Sequence, residues 1–288
     1  MNSSLRLRLL HATDLPFADS LRAQAGWNQT RADWQRFLAL EPQGCFLAEW
    51  NGTPAGTATT TVYGMPLAWI GMVLVHPDFR RRGIGRALLE RCVAHLRGRD
   101  VRCLKLDATS LGKQVYDGLG FQDEWTLTRW EHTGFQSGQP GAPSRVRNWR
   151  ESDYRMSERL DAQAFGVSRQ RLLPALVQQS RCALGRESES GELLGFGLLR
   201  PGSQALYLGP VAAFSADAAG ALIAALLARG GAGQRILWDI PDGNGVAGEW
   251  AKQHGFVQQR SLTRMFLGEN TTPGDPQKQF ALGGPEIG

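Results

Sequence analysis

VLVHPDFRRRGIGRALLERCVAHLR, residues 73–97, decides how the rest of the chain is read. An apolar run closes at Val75 and a turn follows at His76-Pro77-Asp78. Arg80-Arg81-Arg82-Gly83-Ile84-Gly85 then leads into a segment with Leu88, Leu89, Cys92, Val93 and Leu96 on one helical face. The pattern predicts a strand, a basic glycine-containing turn and a helix. The first N–H groups of a helix have no internal partner, and the helix dipole favours anions there. Gly83 and Gly85 let a ligand approach the main chain, and the arginines add positive charge. Such a turn suits a pyrophosphate. A dinucleotide fingerprint would need glycine at Leu88, and no G-x-x-x-x-G-K-[ST] occurs.

Read as Arg80-x-x-Gly83-x-Gly85, the turn resembles the acetyl-CoA signature R-x-x-G-x-G/A of the GNAT superfamily of N-acetyltransferases. The Val75-His76-Pro77 before it and the Ala87-Leu88-Leu89 after it are similar to that family too. Residues 101–108 (VRCLKLDA) read as another strand. Tyr116-Asp117-Gly118-Leu119-Gly120-Phe121 resembles the family's short tyrosine-bearing helix and its Gly-Phe turn into a last strand pair. Upstream, residues 45–50 and 56–62 read as strands around Asn51-Gly52, a strong hairpin signal. The resemblance covers roughly residues 5–131 in the family's order.

Composition bounds the alternatives. The 288 residues allow one or two domains, and 42% hydrophobic with 20% charged residues describes a globular chain. Cys45, Cys92, Cys103 and Cys182 lack metal-site spacing and read as buried free thiols of a reducing compartment; no metal is expected. MNSSLRLRLL has arginines within its short apolar stretch, unlike a signal peptide, and no uncharged apolar run reaches the ~20 residues of a membrane span. A cytoplasmic protein without a membrane partner is expected. The net charge of +5 is scattered, with its one dense cluster at Arg80, Arg81 and Arg82, so a nucleic-acid partner is not expected.

The second half repeats the element order of the first. Residues 134–144 (GFQSGQPGAPS) read as a linker. Strands are expected at 145–150, 193–199, 205–211 and 235–240, and helices at 151–165, 172–180, 218–229 and 246–254. Gly255-Phe256 and a last strand follow. Five residues separate Gly120-Phe121 from Leu127-Thr128-Arg129, and five separate Gly255-Phe256 from Leu262-Thr263-Arg264. Leu106-Asp107 likewise answers Trp238-Asp239. These matches argue for internal duplication. Where the first half has its arginines, the second reads Phe214-Ser215-Ala216-Asp217-Ala218-Ala219-Gly220, and an aspartate there repels a second anion. Ala251 stands in the place of Tyr116.

The expected fold is α/β (α+β): two tandem GNAT-like domains, each a mixed, mostly antiparallel sheet flanked by helices. A catalytic domain is assigned to 1–133, the linker to 134–144, a degenerate domain to 145–268 and a poorly ordered tail to 269–288. The resemblance implies acetyl-CoA as co-substrate, with Val73, Leu74 and Val75 on the pantetheine arm and Arg80, Arg81, Arg82, Gly83, Ile84, Gly85 and Arg86 around the pyrophosphate. It implies Tyr116 as general acid and the Val73 N–H as oxyanion donor. Candidate bases are Asp107, at a strand end facing the same edge as the turn, Glu49 on a neighbouring strand, and His76, whose imidazole ordinarily titrates near neutral pH; relay through water is the alternative. Trp27, Asn28 and Asp33 between the first helices, and Trp69 near the pantetheine strand, are candidate contacts for a small-molecule or peptide amine. The expected assembly is a monomer with pseudo-dimeric halves or a homodimer. The reading that competes with an N-acetyltransferase is a non-catalytic acyl-CoA-binding sensor.

Overall fold

A computed structural model describes residues 4–134, 145–230 and 233–288. The expected linker lies, from residue 135 onward, outside the described residues. In chain order the elements are β1 (Leu5–Leu9), α1 (Leu15–Gln24), α2 (Arg31–Leu40), β2 (Cys45–Trp50), β3 (Thr53–Val62), β4 (Leu67–Val75), α3 (Ile84–Arg97), β5 (Cys103–Ala108), α4 (Ser110–Asp117) and β6 (Gln122–His132). There follow β7 (Val146–Asn148), α5 (Tyr154–Phe165), α6 (Leu173–Gln179), β8 (Cys182–Glu187), β9 (Leu193–Arg200), β10 (Leu206–Ala213), α7 (Ala216–Gly230), β11 (Ile236–Pro241), α8 (Gly245–Gln253), β12 (Val257–Gly268) and β13 (Gln279–Ala281).

The chain divides into two compact units. The first holds Met1–Glu124, Arg264–Thr271 and Pro285–Ile287; the second holds Trp125–Thr263, Thr272–Gly284 and Gly288. The units therefore differ from the halves read along the sequence. The last strand of the first half lies mostly in the second unit, and the end of β12 lies in the first.

In the first unit the sheet order is β1-β2-β3-β4-β5-β12. Neighbours from β1 to β4 are antiparallel, and β4–β5 is parallel. Asn51 and Gly52 join β2 to β3 with positive φ of 50° and 79°, the geometry that the primed hairpin turn requires. α3 forms because Ile84, Leu88, Leu89, Cys92 and Leu96 recur on one face; all five are buried. They pack on Phe46, Ala58, Ile70, Leu104 and Leu106 of the sheet. α3 thus covers one face of β4, and the other face is left to Trp69 and Gly71.

In the second unit the order is β6-β11-β10-β9-β8-β7, and β13 pairs with β10. α7 supplies Leu222, Ile223 and Leu226 to a core with Trp238, Ile240 and Phe256. β8 carries no strand signal in the sequence, since CALGRE alternates poorly and contains Gly185 and Arg186. The expectation of a poorly ordered tail after Glu269 is corrected. Gln279–Ala281 form a strand, and Phe280, Leu282 and Ile287 are buried. Glycine and proline composition predicted disorder, whereas apolar burial and main-chain pairing decide the outcome.

Duplication extends to side chains. In the first unit Arg8 donates to Glu49 at 2.7 Å and to both Asp14 oxygens at 2.7 and 2.8 Å. In the second, Arg147 donates to Asp153 at 2.6 and 2.8 Å and also to Glu187. Asp107 is held by Arg264 at 2.9 and 3.0 Å, and Asp239 by Arg129 at 2.7 and 2.6 Å. An aromatic ring from the preceding strand attends each pair: Trp69 lies 4.5 Å from the Arg264 guanidinium, and Tyr207 lies 6.0 Å from that of Arg129.

Breaking a buried ion pair by removing one partner costs about 3–5 kcal/mol, a large share of the ~5–15 kcal/mol that holds a domain together. A fragment of residues 1–138 keeps Asp107 but loses Arg264 and the strand beside β5. We expect it to aggregate, or to bind acetyl-CoA weakly, when assayed by size-exclusion chromatography and calorimetry. A soluble, fully active monomer would contradict this.

Candidate active site

β4 changes partners along its length. Its ladder with β3 shifts register between Thr59↔Gly71 and Thr57↔Leu74. Met72, inside that bulge, has a φ of +50°, and its carbonyl accepts from Thr57 Oγ1 at 3.0 Å. Among the described residues the ladder with β5 runs only from Leu67↔Cys103 to Trp69↔Lys105. Beyond Trp69 the two strands part, and the main chain of Val73, Leu74 and Val75 borders the gap. Backbone donors at such an opening are ready for an extended ligand or a polarised carbonyl.

The basic turn lies at the end of that strand. Arg81 and Gly83 adopt the left-handed region, with φ of 60° and 78°. Gly83 is the N-cap of α3, and the first helical bond runs from Ala87 N to Gly83 O at 3.0 Å. The N–H groups of Ile84, Gly85 and Arg86 precede that bond. A Cβ built on Gly83 would meet nothing within 4 Å, and one on Gly85 would meet only Val75 Cγ2 at 3.6 Å. The cradle is open and lined by donors, so its residues fit a pyrophosphate. Arg80 Nε is steered to Val75 O at 3.3 Å and Arg82 to Asp78 O at 3.1 Å. The Arg82 guanidinium also lies 5.3 Å from the ring of Trp50 and 5.5 Å from that of Phe79. Arg86 donates to Glu90 at 2.8 Å.

Tyr116 is on α4, half-buried, its ring 6.1 Å from Phe121. Burial pushes its phenol up to about 12, with a small further rise from Cys92. It stays protonated throughout the neutral range, as a proton donor must. Burial likewise raises Cys45 to about 12 and Cys103 to about 11, and it raises Cys92 and Cys182 as well. None of the four is an activated nucleophile.

The three candidate bases sit differently. Asp107 lies on β5 in the bidentate pair with Arg264, its side chain fully buried. Glu49 is bonded to Arg8. Both arrangements recur in the second unit at Asp239 and Glu187, which has no arginine-rich turn, so both are features of the duplicated fold. His76 follows β4 directly; its Nδ1 accepts from Asp78 N at 3.3 Å.

The acceptor candidates converge only in part. Asp33 is consumed locally: it accepts from Thr30 N at 2.6 Å and Oγ1 at 2.8 Å, and pairs with Arg36 at 2.6 Å. Asn28 is buried. Trp27 is half-buried, with its carbonyl accepting from Arg22 at 3.3 Å. Trp69 donates through Nε1 to Pro285 O at 2.9 Å. Sequence reading missed several polar groups on this face of the first unit: Tyr63, Gln29, Glu286, and the buried pair of Lys105 with Glu124 at 2.7 Å. Burial lowers the Lys105 ammonium against the raising effect of Glu124. Its equivalent in the second unit is the apolar Leu237, so the duplicated fold does not require this charge.

The corresponding opening of the second unit is filled. β10 pairs with β11 from Leu206↔Ile236 to Leu208↔Trp238, and its register with β9 shifts between Leu208 and Val211. β13 enters there, pairing Ala281 with Val211 and Gln279 with Ala212. Trp238 Nε1 donates to Phe280 O at 2.9 Å, and Leu282 N to Asp239 O at 3.0 Å.

These features define a GNAT-type acyltransferase fold. Residues 13–121 match the acetyltransferase (GNAT) family, and residues 158–281 match an acetyltransferase (GNAT) domain. The chain is 30% identical over 224 residues, 77% of each chain, to the uncharacterized N-acetyltransferase YitH of Bacillus subtilis (strain 168). It is 24% identical to a holothin acyltransferase of a Pseudoalteromonas species, over 91% of this chain and 87% of that one. A solved structure of a candidate acetyltransferase from Pyrococcus horikoshii superposes with a TM-score of 0.83 at 25% identity, covering 99% of this chain and 96% of that one. The chain belongs to the GNAT acetyltransferase superfamily, with two such domains in tandem, and is an acyltransferase. Among the described residues no helix is long and apolar enough to cross a membrane, and no group of three or more His, Cys, Asp or Glu residues is placed to hold a metal.

One acetyl-CoA per chain is therefore expected by calorimetry, and a stoichiometry near two would refute this. Gly85→Val should weaken binding at least about tenfold, the equivalent of ~1.4 kcal/mol, by filling the cradle. Unchanged affinity would remove the pyrophosphate from this turn.

Proposed function

We propose that the first unit moves an acetyl group from acetyl-CoA to a primary amine by direct attack in a ternary complex. The observation that carries this reading is the parting of β4 from β5 after Trp69, which opens beside the left-handed Gly83 start of α3. Acetyl-CoA supplies the thioester. Val73, Leu74 and Val75 offer main-chain bonds to the pantetheine arm. The N–H groups from Arg81 to Arg86, with Arg80 and Arg82, hold the pyrophosphate. Among the described residues only the first unit has both an open gap and the basic turn, so the second is assigned a non-catalytic role.

The reaction makes three demands on the chain. The developing oxyanion needs a donor, and Val73 N–H is the donor assigned. The amine must arrive neutral, and after its nitrogen bonds the acetyl carbon it must lose a proton. Asp107 and Glu49 are committed to arginines, so we assign that proton to water, with His76 directly after β4 as the remaining side-chain candidate. The C–S bond breaks as the sulfur takes a proton from Tyr116, which solvent then restores. The raised Tyr116 phenol keeps this proton available, and the buried thiols argue against an acetyl-cysteine intermediate. The similarity to a holothin acyltransferase over most of both chains supports acyl transfer.

The test is release of free CoA thiol over a panel of amines. Binding of acetyl-CoA without CoA release would support the sensor reading instead. Tyr116→Phe should lower turnover by roughly 10²–10⁴, the usual span for a positioned acid, while leaving acetyl-CoA affinity within about twofold. Turnover near wild type would make Tyr116 a packing residue. The pH profile gives a separate check. The rate should climb as the acceptor ammonium deprotonates, with no fall from Tyr116 ionisation until pH approaches about 12. A descending limb that vanishes in Tyr116→Phe at much lower pH would contradict this.

A further inference from the structure

If the first unit is the acetyl-transferring one, its acceptor must reach the bulge at Met72 from the face of β4 that α3 leaves open. That face carries Trp69 and Gly71, and across from it stands the segment between α1 and α2, residues 25–30. Three residues from far along the chain lie between them. Trp69 Nε1 donates to Pro285 O at 2.9 Å, and Tyr63 OH donates to Ile287 O at 2.7 Å. Gln29 Nε2 donates to the Glu286 carboxylate at 2.7 Å. A Cβ on Gly71 would stand 2.6 Å from Glu286 O and 3.0 Å from Glu286 Cα, so the Glu286 backbone rests directly on the strand. Glu286 and Ile287 are buried.

Two side-chain donors bind carbonyls at i and i+2, and an amide holds the side chain between them. This is how a surface grips an extended peptide irrespective of its sequence. The place an acceptor peptide would occupy beside Gly71 is taken by the chain itself. We propose that Pro285–Ile287 form a fixed wall of the acceptor site and restrict the enzyme to small amines, excluding protein N-termini and extended peptides.

A displaceable plug would show the opposite signature, with few buried groups and weak anchoring. Here the Pro285 and Ile287 carbonyls are met by the buried Trp69 and the half-buried Tyr63. Gly71 matters because only a residue without Cβ admits the Glu286 backbone at this distance.

The experiment uses the full-length protein. Small amines (ethanolamine, glucosamine, 1,4-diaminobutane) and an alanine-initiated hexapeptide are compared by CoA release, with hydrogen exchange read at the Glu286 and Ile287 amides. In wild type the small amines should be used, the hexapeptide should be slower by about a hundredfold or more, and both amides should be protected. Gly71→Ala should expose both amides, and Tyr63→Phe should loosen Ile287 more mildly. Each variant should narrow the gap between hexapeptide and small amines by about tenfold. Hexapeptide turnover within about threefold of the best small amine, or unprotected amides in wild type, would overturn the proposal. If acetyl-CoA binds but no acceptor releases CoA, the proposed function falls on its own. The wall is then judged by exchange and by calorimetry of the hexapeptide on CoA-loaded protein. Protected amides without peptide binding would sustain it, and peptide binding would refute it.

Discussion

A strand that leaves its neighbour must find other partners for its backbone, and this constraint organises both units. β4 abandons β5 after Trp69, and β10 leaves β11 after Leu208. Each N–H or C=O left buried and unpaired costs about 1–3 kcal/mol. A fold that opens such a gap must therefore close it with chain, water or ligand. The second unit closes its gap with its own β13, paired at Val211 and Ala212. The first keeps Val73, Leu74 and Val75 bordering the gap and sets a donor-lined helix start at its end. The same backbone device is completed by a strand in one copy, while in the other the gap is bordered by β4 main chain and the basic turn.

That contrast separates what both units share from what the first alone carries. A feature found in both units is required by the fold. By that criterion Asp107 with Arg264, and Glu49 with Arg8, belong to the scaffold, since Asp239 with Arg129 and Glu187 with Arg147 repeat them without a basic turn. The features confined to the first unit are Arg80 to Gly85, Tyr116 and the Lys105–Glu124 pair. The first two were legible in the sequence; the third was not.

Legibility followed the range of the interaction. The start of α3, the Asn51-Gly52 hairpin and the duplicated Leu-Thr-Arg and Asp positions depend on neighbours a few residues apart, so pattern alone located them. The partner of Asp107 lies 157 residues away, that of Gln29 lies 257 residues away and that of Trp69 lies 216. No periodicity encodes such pairings. The tail misled for a related reason. Gly274, Gly283 and Gly284 with Pro273, Pro276 and Pro285 have the composition of a disordered segment. Yet glycine is also what lets a backbone lie flat against another, and proline costs an extended segment nothing where its N–H would have had no partner.

Three apolar side chains outweigh that composition. Phe280, Leu282 and Ile287 are each almost fully buried, and fully burying a large aliphatic or aromatic side chain is worth roughly 1.5–3 kcal/mol. That burial opposes the ordering entropy of the chain, as does the ladder with β10. The segment needs this anchoring for the role assigned to it. A wall that selects acceptors by size works only if it costs more to displace than a wrong acceptor gains by entering. For the wall proposed beside β4, that cost comes from the bonds of Trp69, Tyr63 and Gln29 and from the close seat of Glu286 on Gly71.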